Sequence, residues 1–119
     1  MSTLVKQISS VCRHLHENYV MHGDIYAHNI LVSSEGHCLL TDFGAASVKS
    51  PAHFSIEQLK LLEKIEVRAF GCLVDDIMQR LNSQNSALID HFNQLKQACL
   101  EEDIYKRPNF SEIYQYLIR

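Results

Sequence analysis

The chain has 119 residues, a length that suits one folded domain with a real hydrophobic core. Hydrophobic residues make up 46% and charged residues 21%, as in an ordinary globular domain. The formal net charge of -3 argues against a general nucleic-acid-binding surface. The sequence opens without a signal segment and contains no apolar run long enough to span a bilayer. We therefore expect a cytoplasmic protein with no nucleic-acid or membrane partner.

The cysteines are scattered through apolar stretches without the paired spacing of a zinc site or a secreted disulfide framework. They are Cys12, Cys38, Cys72 and Cys99. This distribution predicts free thiols that pack in the core of a protein from a reducing compartment.

The first predicted element is an amphipathic helix over residues 3–17, because apolar residues recur there at helical spacing. They are Leu4, Ile8, Val11, Cys12 and Leu15. Tyr19-Val20-Met21 follows as a short β run. It leads into the most informative stretch of the chain, residues 22–44.

This stretch contains a predicted hairpin. Residues 30–33 and 37–41 are apolar and β-favouring, and Ser34-Glu35-Gly36 between them is suited to a turn. Because a hairpin folds back on itself, Asn29 and Asp42 are expected at the same end. Two oxygen-bearing side chains at one sheet end suit Mg²⁺, which takes oxygen ligands and usually shares them with phosphates. Asp24 lies just upstream, free to meet a substrate proton.

Residues 45–54 form a polar loop with little periodicity, which we expect to be mobile. Ser55 and Gln58 have capping-box spacing and predict the start of a helix. A second helix is predicted over residues 65–81, where apolar residues cover more than one face and so indicate burial. Further helices are predicted over residues 88–99 and 110–117, joined by a loop over 101–109.

Four motifs together resemble those of protein kinases. His22-Gly23-Asp24, followed by Asn29, is similar to the H-R-D-x-x-x-x-N catalytic loop, and Asp42-Phe43-Gly44 is similar to D-F-G. Residues 66–71, EVRAFG, resemble the D-V-W-S-F-G of the buried large-lobe helix, and residues 106–110, KRPNF, resemble R-P-x-F. The resemblance implies a kinase-like large lobe over residues 1–119, mainly α with a small β-hairpin in the α+β class. The chain is also similar to bacterial kinases that carry leucine-rich repeats upstream.

The resemblance implies a role for each matching residue. Asp24 would accept the proton of a substrate hydroxyl during phosphoryl transfer, and Asn29 and Asp42 would hold Mg²⁺ against the phosphates of ATP. Leu31, on the strand that follows, would contribute to the nucleotide-binding surface. Apart from the resemblance, His22 is expected to pack in the core and support the loop, with a proton shuttle as the alternative.

Neighbouring residues are expected to support this site. Phe43 would pack inward beneath the loop, and Gly44 would supply the backbone freedom that turns Asp42 toward the metal. His28 is expected on the loop surface.

Three departures from the kinase pattern bear on activity. Gly23 replaces an arginine, so control by phosphorylation of the mobile loop is not expected. Tyr26 stands where serine/threonine kinases place a lysine that neutralises the transferring phosphoryl group, which implies slower transfer or a substitute cation. No Ala-Pro-Glu motif lies between Gly44 and Glu66, so Arg107 lacks its usual partner. The candidate replacements are Glu57, Glu63 and Glu66.

The sequence contains no Gly-rich phosphate loop and no V-A-I-K-like lysine, since its glycines are only Gly23, Gly36, Gly44 and Gly71. Two functions remain open. One is an ATP- and Mg²⁺-dependent protein kinase, for serine or threonine more than tyrosine, which acts on a protein substrate with a small lobe or an upstream repeat region supplied by a longer chain. The other is a non-catalytic kinase-like module that binds a protein partner. A truncated kinase fragment is compatible with either.

Overall fold

The computed structural model describes residues 2–80 and 84–119. Within them the chain forms four α-helices and two small antiparallel sheets, which confirms the predicted α+β class. In chain order the elements are α1 (Ser2–Glu17), β1 (Val20–Met21), β2 (Ile30–Val32), β3 (Cys38–Leu40), β4 (Ser47–Val48), α2 (Ile56–Arg80), α3 (Ser86–Cys99) and α4 (Phe110–Ile118). Single 3-10 turns lie at Ala27–Asn29, Phe43–Ala45 and Ile104–Lys106.

The predicted hairpin is confirmed as the pair β2–β3, with Ile30 opposite Leu40. Its turn closes through a hydrogen bond of 2.8 Å from the amide of Ser33 to the carbonyl of His37. Gly36 takes the left-handed conformation there, with φ +85°, which costs glycine little. Residues on the two sides of the hairpin therefore meet at its open end.

The second sheet pairs β1 with β4, and it corrects the prediction of an irregular loop over residues 45–54. Val20 lies opposite Val48, and the amide of Lys49 donates to the carbonyl of Tyr19 at 2.7 Å. A two-residue strand carries no periodicity that a sequence pattern could reveal. Strand β4 forms only because it pairs with β1, which lies far away in the sequence.

α2 corrects a second prediction, because one continuous helix of 25 residues replaces the two expected ones. It begins at the predicted capping box, where the amide of Ser55 donates to Gln58 at 2.8 Å and the amide of Gln58 donates to Ser55 at 3.1 Å. No proline interrupts residues 56–80, and its single glycine, Gly71, faces α3 with no room for a methyl group. The expected end at Leu81 lies outside the described residues.

The core lies where α2 packs on α3 and α1 packs on α4. Its largest fully buried side chains are aromatic: Phe70, Phe92 and Phe110. None of the described helices has both the length and the apolar composition needed to cross a membrane.

The cysteines differ in how deeply they are buried. Cys12 and Cys99 are fully buried as predicted, but Cys72 is exposed, because its side chain leaves α2 on the side away from the core. Burial raises the pKa of the Cys99 thiol to about 12, against the lowering effect of Arg107. Burial, then the charges of Glu66 and Glu63, also raise the pKa of Cys12. These two thiols are structural groups with little thiolate character.

Arg107 joins the connection between α3 and α4 to helix α2. Its guanidinium donates to the carbonyls of Glu101, at 2.7 Å, and Lys64, at 3.1 Å. Among the described residues it forms no ion pair with a glutamate, so the predicted carboxylate partner is wrong. Glu63 instead accepts the amide of Phe110 at 2.8 Å, at the start of α4.

Candidate active site

The carboxylate of Glu66 connects the middle of α2 to the loop that follows β1. Its side chain is 2% exposed. Oε1 accepts the amide of His22 at 3.0 Å and Nε2 of His16 at 2.8 Å, while Oε2 accepts the amide of Gly23 at 2.7 Å. Because two consecutive backbone amides point at one carboxylate, the start of the loop is fixed in both position and direction.

The charge of this carboxylate is maintained by its hydrogen bonds. Burial by itself would raise the pKa of Glu66, but the hydrogen bond from His16 and those from the amides of Gly23 and His22 outweigh it. The net result is a pKa below the usual value for glutamate. A buried anion is stable only where donors replace its water shell, and three donors do so here.

His16 is a functional contact that the sequence reasoning missed. It also stacks on Phe110, with 5.3 Å between ring centroids, so it joins α1, α2 and α4 at one point. The sequence feature that could have indicated a buried role for His16 was its position on helix α1 beside the apolar face. Nothing in the sequence pairs it with a glutamate 50 residues away.

His22 is fully buried, which confirms its predicted position in the core. Its Nε2 lies 2.9 Å from the carbonyl oxygen of Thr41, and its Nδ1 accepts the amide of Asp24 at 3.1 Å. The pair of contacts assigns the ring proton to Nε2, because a carbonyl only accepts and an amide only donates. The imidazole therefore connects the Asp24 loop to the end of strand β3.

A close backbone contact explains why position 23 is glycine, which the replacement of the kinase arginine did not reveal. Its φ is +85°, and a Cβ added to it would lie 2.6 Å from the carbonyl oxygen of Ala45. That oxygen belongs to the backbone and has little freedom to move. The segment after Gly44 therefore packs directly against the loop at a position where only glycine fits.

Asp24 and Asn29 are brought together in the structure. Nδ2 of Asn29 donates to the backbone carbonyl of Asp24 at 2.8 Å and to its Oδ2 at 2.9 Å. Asn29 is 3% exposed, and its own carbonyl accepts both the amide and the hydroxyl of Thr41, at 2.7 and 2.9 Å. The Asp24 carboxylate is thus oriented through one oxygen, and Oδ1 takes no part in these bonds.

Asp42 follows Thr41 at the same end of the hairpin, and it is exposed. The left-handed residue of this turn is Asp42 itself, with φ 58°, whereas the prediction assigned the backbone freedom to Gly44. Oδ1 of Asp42 accepts the amide of Gly44 at 3.3 Å. Aspartate tolerates this conformation better than most residues, because its short side chain can bond locally in this way.

Phe43 corrects another prediction, since it is 46% exposed instead of packed beneath the loop. Its ring contacts His22 edge to face at 4.7 Å, and the rest of the ring is uncovered. Leu31 and Leu39 are opposite one another on the hairpin and are 58% and 61% exposed. Leu31 and Leu39 therefore form an uncovered apolar pair on the hairpin, and Phe43 is a further exposed apolar side chain next to Asp42 in the sequence.

Tyr26 and His28 lie on the loop between Asp24 and Asn29. Their rings stack at 5.6 Å with an angle of 9°, and both residues are exposed, which confirms the surface position of His28. Tyr26 occupies the position at which the kinase pattern has a lysine.

The oxygen atoms of Asn29 and Asp42 suit Mg²⁺. The bonds of Asn29 to Asp24 use only Nδ2, which leaves its amide oxygen Oδ1 for a cation, and Asp42 adds a carboxylate. In the described part of the chain no three histidine, cysteine or carboxylate side chains gather into a metal site. A cation held here would complete its coordination with water and phosphate oxygens, as Mg²⁺ usually does.

The contact between Gly23 and Ala45 predicts that Gly23→Ala destabilises the chain more than Gly36→Ala. Both glycines have φ +85°, but a Cβ at Gly36 meets nothing within 4 Å. Each variant carries the left-handed cost of about 1 kcal/mol, and Gly23→Ala adds a backbone clash of about 1–3 kcal/mol. Urea unfolding followed by circular dichroism measures both. Equal losses would show that Ala45 moves away freely.

The position of Glu66 predicts that Glu66→Gln lowers the free energy of unfolding by about 2 kcal/mol near pH 7, because an amide nitrogen replaces one acceptor of the loop amides. The lowered pKa means that the carboxylate contributes fully above its unfolded pKa of about 4.3 and loses this contribution as pH falls through the folded value. Urea unfolding at pH 7 and pH 3 should therefore show a smaller acid loss in Glu66→Gln than in the unaltered chain. Glu102→Gln, an exposed control, should match the unaltered chain at both pH values.

Comparison with known proteins agrees with this arrangement. The chain is 29% identical over 111 residues to cyclin-dependent kinase 20 of Danio rerio. This alignment covers 79% of this chain and 31% of the relative. It is 43% identical over 47 residues to the serine/threonine-protein kinase PrkC of Bacillus subtilis, an alignment that covers 40% of this chain and 7% of the relative. It is 50% identical over 40 residues to the serine/threonine-protein kinase AtPK1/AtPK6 of Arabidopsis thaliana, an alignment that covers 34% of this chain and 9% of the relative.

These matches span less than a third of each relative's own length. A family model described as Protein kinase domain matches residues 1–61, slightly more than half of the chain. That stretch includes the loop of Asp24 and Asn29, the β2–β3 hairpin and Asp42. The chain belongs to the protein kinase domain family.

Proposed function

We propose that the chain is the large lobe of a protein kinase that transfers phosphate from ATP, with Mg²⁺, to a serine or threonine hydroxyl of a protein substrate. The observation that carries the proposal is the Asp24–Asn29 pair, in which Asn29 donates to the Asp24 carboxylate at 2.9 Å at the open end of the hairpin. The pair is held from beneath by His22, whose Nδ1 accepts the amide of Asp24. Catalysis of this kind depends on positioning and electrostatic stabilisation more than on covalent chemistry.

In this proposal, Asp24 accepts the proton of the substrate hydroxyl through Oδ1 as the hydroxyl oxygen forms its bond to the γ-phosphorus and the bond to the departing diphosphate breaks. Asn29 and Asp42 hold Mg²⁺ through their side-chain oxygens. The cation neutralises charge on the phosphates when bound. The left-handed backbone of Asp42 and the bond from the amide of Gly44 to its Oδ1 restrict the orientation of this carboxylate, which supports the proposal.

Leu31 is proposed as part of the nucleotide-binding surface, together with Leu39 across the hairpin. Both side chains are more than half exposed, and uncovered apolar surface of this kind is typical of binding faces. The same face suits a small lobe, which a longer chain with or without upstream repeats would supply. Residues 1–119 are therefore proposed as the large lobe alone, and a cytoplasmic location is proposed because the cysteines are free thiols.

A non-catalytic protein-binding module is the second candidate, favoured by Tyr26. Its exposed ring stacks on His28 where a cation would be expected to neutralise the transferring phosphoryl group. A neutral phenol cannot supply that charge. In this alternative, the exposed side chains of Leu31 and Leu39 contact a protein partner.

Calorimetric titration of the 119-residue chain with Mg²⁺-ATP tests the proposal. We expect saturable binding that weakens at least tenfold, about 1.4 kcal/mol, in Asp42→Asn, because one cation ligand loses its charge. Asp90→Asn makes the same chemical change at an exposed site on α3 and should bind like the unaltered chain. Phosphotransfer to a serine-containing protein is then measured with the small lobe present. No binding by a well-folded chain would contradict a nucleotide site on this lobe and favour the module.

A further inference from the structure

A cavity of about 270 Å³ lies between the end of α1, strand β1 and the first half of α2. Most of its lining is aliphatic, with Met21, Leu59 and Leu62 among the contributing side chains. It shares His16 with the Glu66 contacts, but Asp24, Asn29 and Asp42 do not line it. The cavity is therefore separate from the candidate active site. Its volume is just below the range of about 300–1,000 Å³ for drug-sized ligands, which suits a smaller molecule.

Two cations line this cavity. Neither Lys49 nor Lys60 forms an ion pair with a carboxylate among the described residues. Lys49 places its ammonium 5.5 Å from the ring centroid of Phe54. Glu63 also lines the cavity, but its Oε2 is engaged by the amide of Phe110. The lining therefore carries two ammonium groups against one carboxylate. This excess of positive charge beside apolar walls suits an amphiphilic anion.

The residue at the edge of the cavity has an unfavourable backbone conformation. Tyr19 has φ +61°, is 44% exposed and contributes to the lining. Its carbonyl accepts the amide of Lys49 and its amide donates to the carbonyl of His16, so the conformation is fixed from both sides. Glycine would adopt it without strain, whereas bulky residues in this region tend to occur at functional sites. The strain places an aromatic ring at the rim.

We propose that this cavity binds a small amphiphilic carboxylate, whose apolar body contacts Leu59 and Leu62 and whose carboxylate pairs with Lys49 and Lys60. Tyr19 covers part of the apolar body at the rim. The inference does not depend on phosphoryl transfer, because the ligand contacts none of the residues assigned to ATP or Mg²⁺.

The test is a two-dimensional amide NMR titration of the 119-residue chain with three probes: octanoate, octanamide and acetate. Octanoate should shift the amide signals of residues around the cavity in a saturable way. Octanamide has the chain without the charge, and acetate has the charge without the chain, so each should bind at least fivefold more weakly. The Lys49→Gln/Lys60→Gln variant should also weaken octanoate binding about fivefold, the combined effect of two partly exposed ion pairs.

Matched variants separate binding from folding. Lys106→Gln changes an exposed lysine that does not line the cavity and should leave the octanoate titration unchanged. Tyr19→Gly should weaken octanoate binding without lowering the midpoint of thermal unfolding, because it removes the ring and relieves the backbone.

Three results would overturn the proposal. The first is the absence of saturable shifts, the second is equal affinity for octanoate and octanamide, and the third is unchanged octanoate affinity in the double lysine variant. Asp42→Asn, which tests the nucleotide site, should titrate with octanoate like the unaltered chain, so the two proposals fail independently.

Discussion

The buried carboxylate of Glu66 carries the constraint on which the rest of the candidate site depends. It accepts two consecutive backbone amides, those of His22 and Gly23, from a loop that is more than 40 residues away in sequence. Each backbone N–H donates in one direction. Two consecutive N–H groups bonded to one carboxylate therefore fix both the position and the path of the loop. The histidine at position 16 adds a third donor and keeps the anion satisfied. The position of Asp24 follows from this anchoring.

The hairpin provides the second half of the geometry. Its register places Thr41 against Asn29, so the loop that carries Asn29 and the turn that carries Asp42 share one end of a small sheet. His22 joins these two parts through the carbonyl of Thr41. The side chains of Asp24 and Asn29 are therefore held by backbone and buried polar contacts.

Local patterns were sufficient to predict part of this structure. Two short apolar, β-favouring runs around a turn that contains Gly36 predict the hairpin, helical periodicity predicts α1, and the spacing of Ser55 and Gln58 predicts the start of α2. The rest depends on contacts between distant parts of the chain. The pairing of His16 with Glu66, the two-residue strand β4 and the close approach of Ala45 to Gly23 have no local signature. Periodicity also could not show that the segments after residues 55 and 65 join into one helix, because both share the same period.

Amide hydrogen exchange at His22 and Gly23 tests the central claim most directly. If the Glu66 carboxylate holds both amides, they should exchange on the order of a thousandfold more slowly than the amide of Glu35 in the exposed hairpin turn. Protection comparable to that of the buried middle of α2 would support the account. Exchange at the rate of Glu35 would contradict it, since the loop would then not be fixed by α2 and the orientation of Asp24 would need another cause.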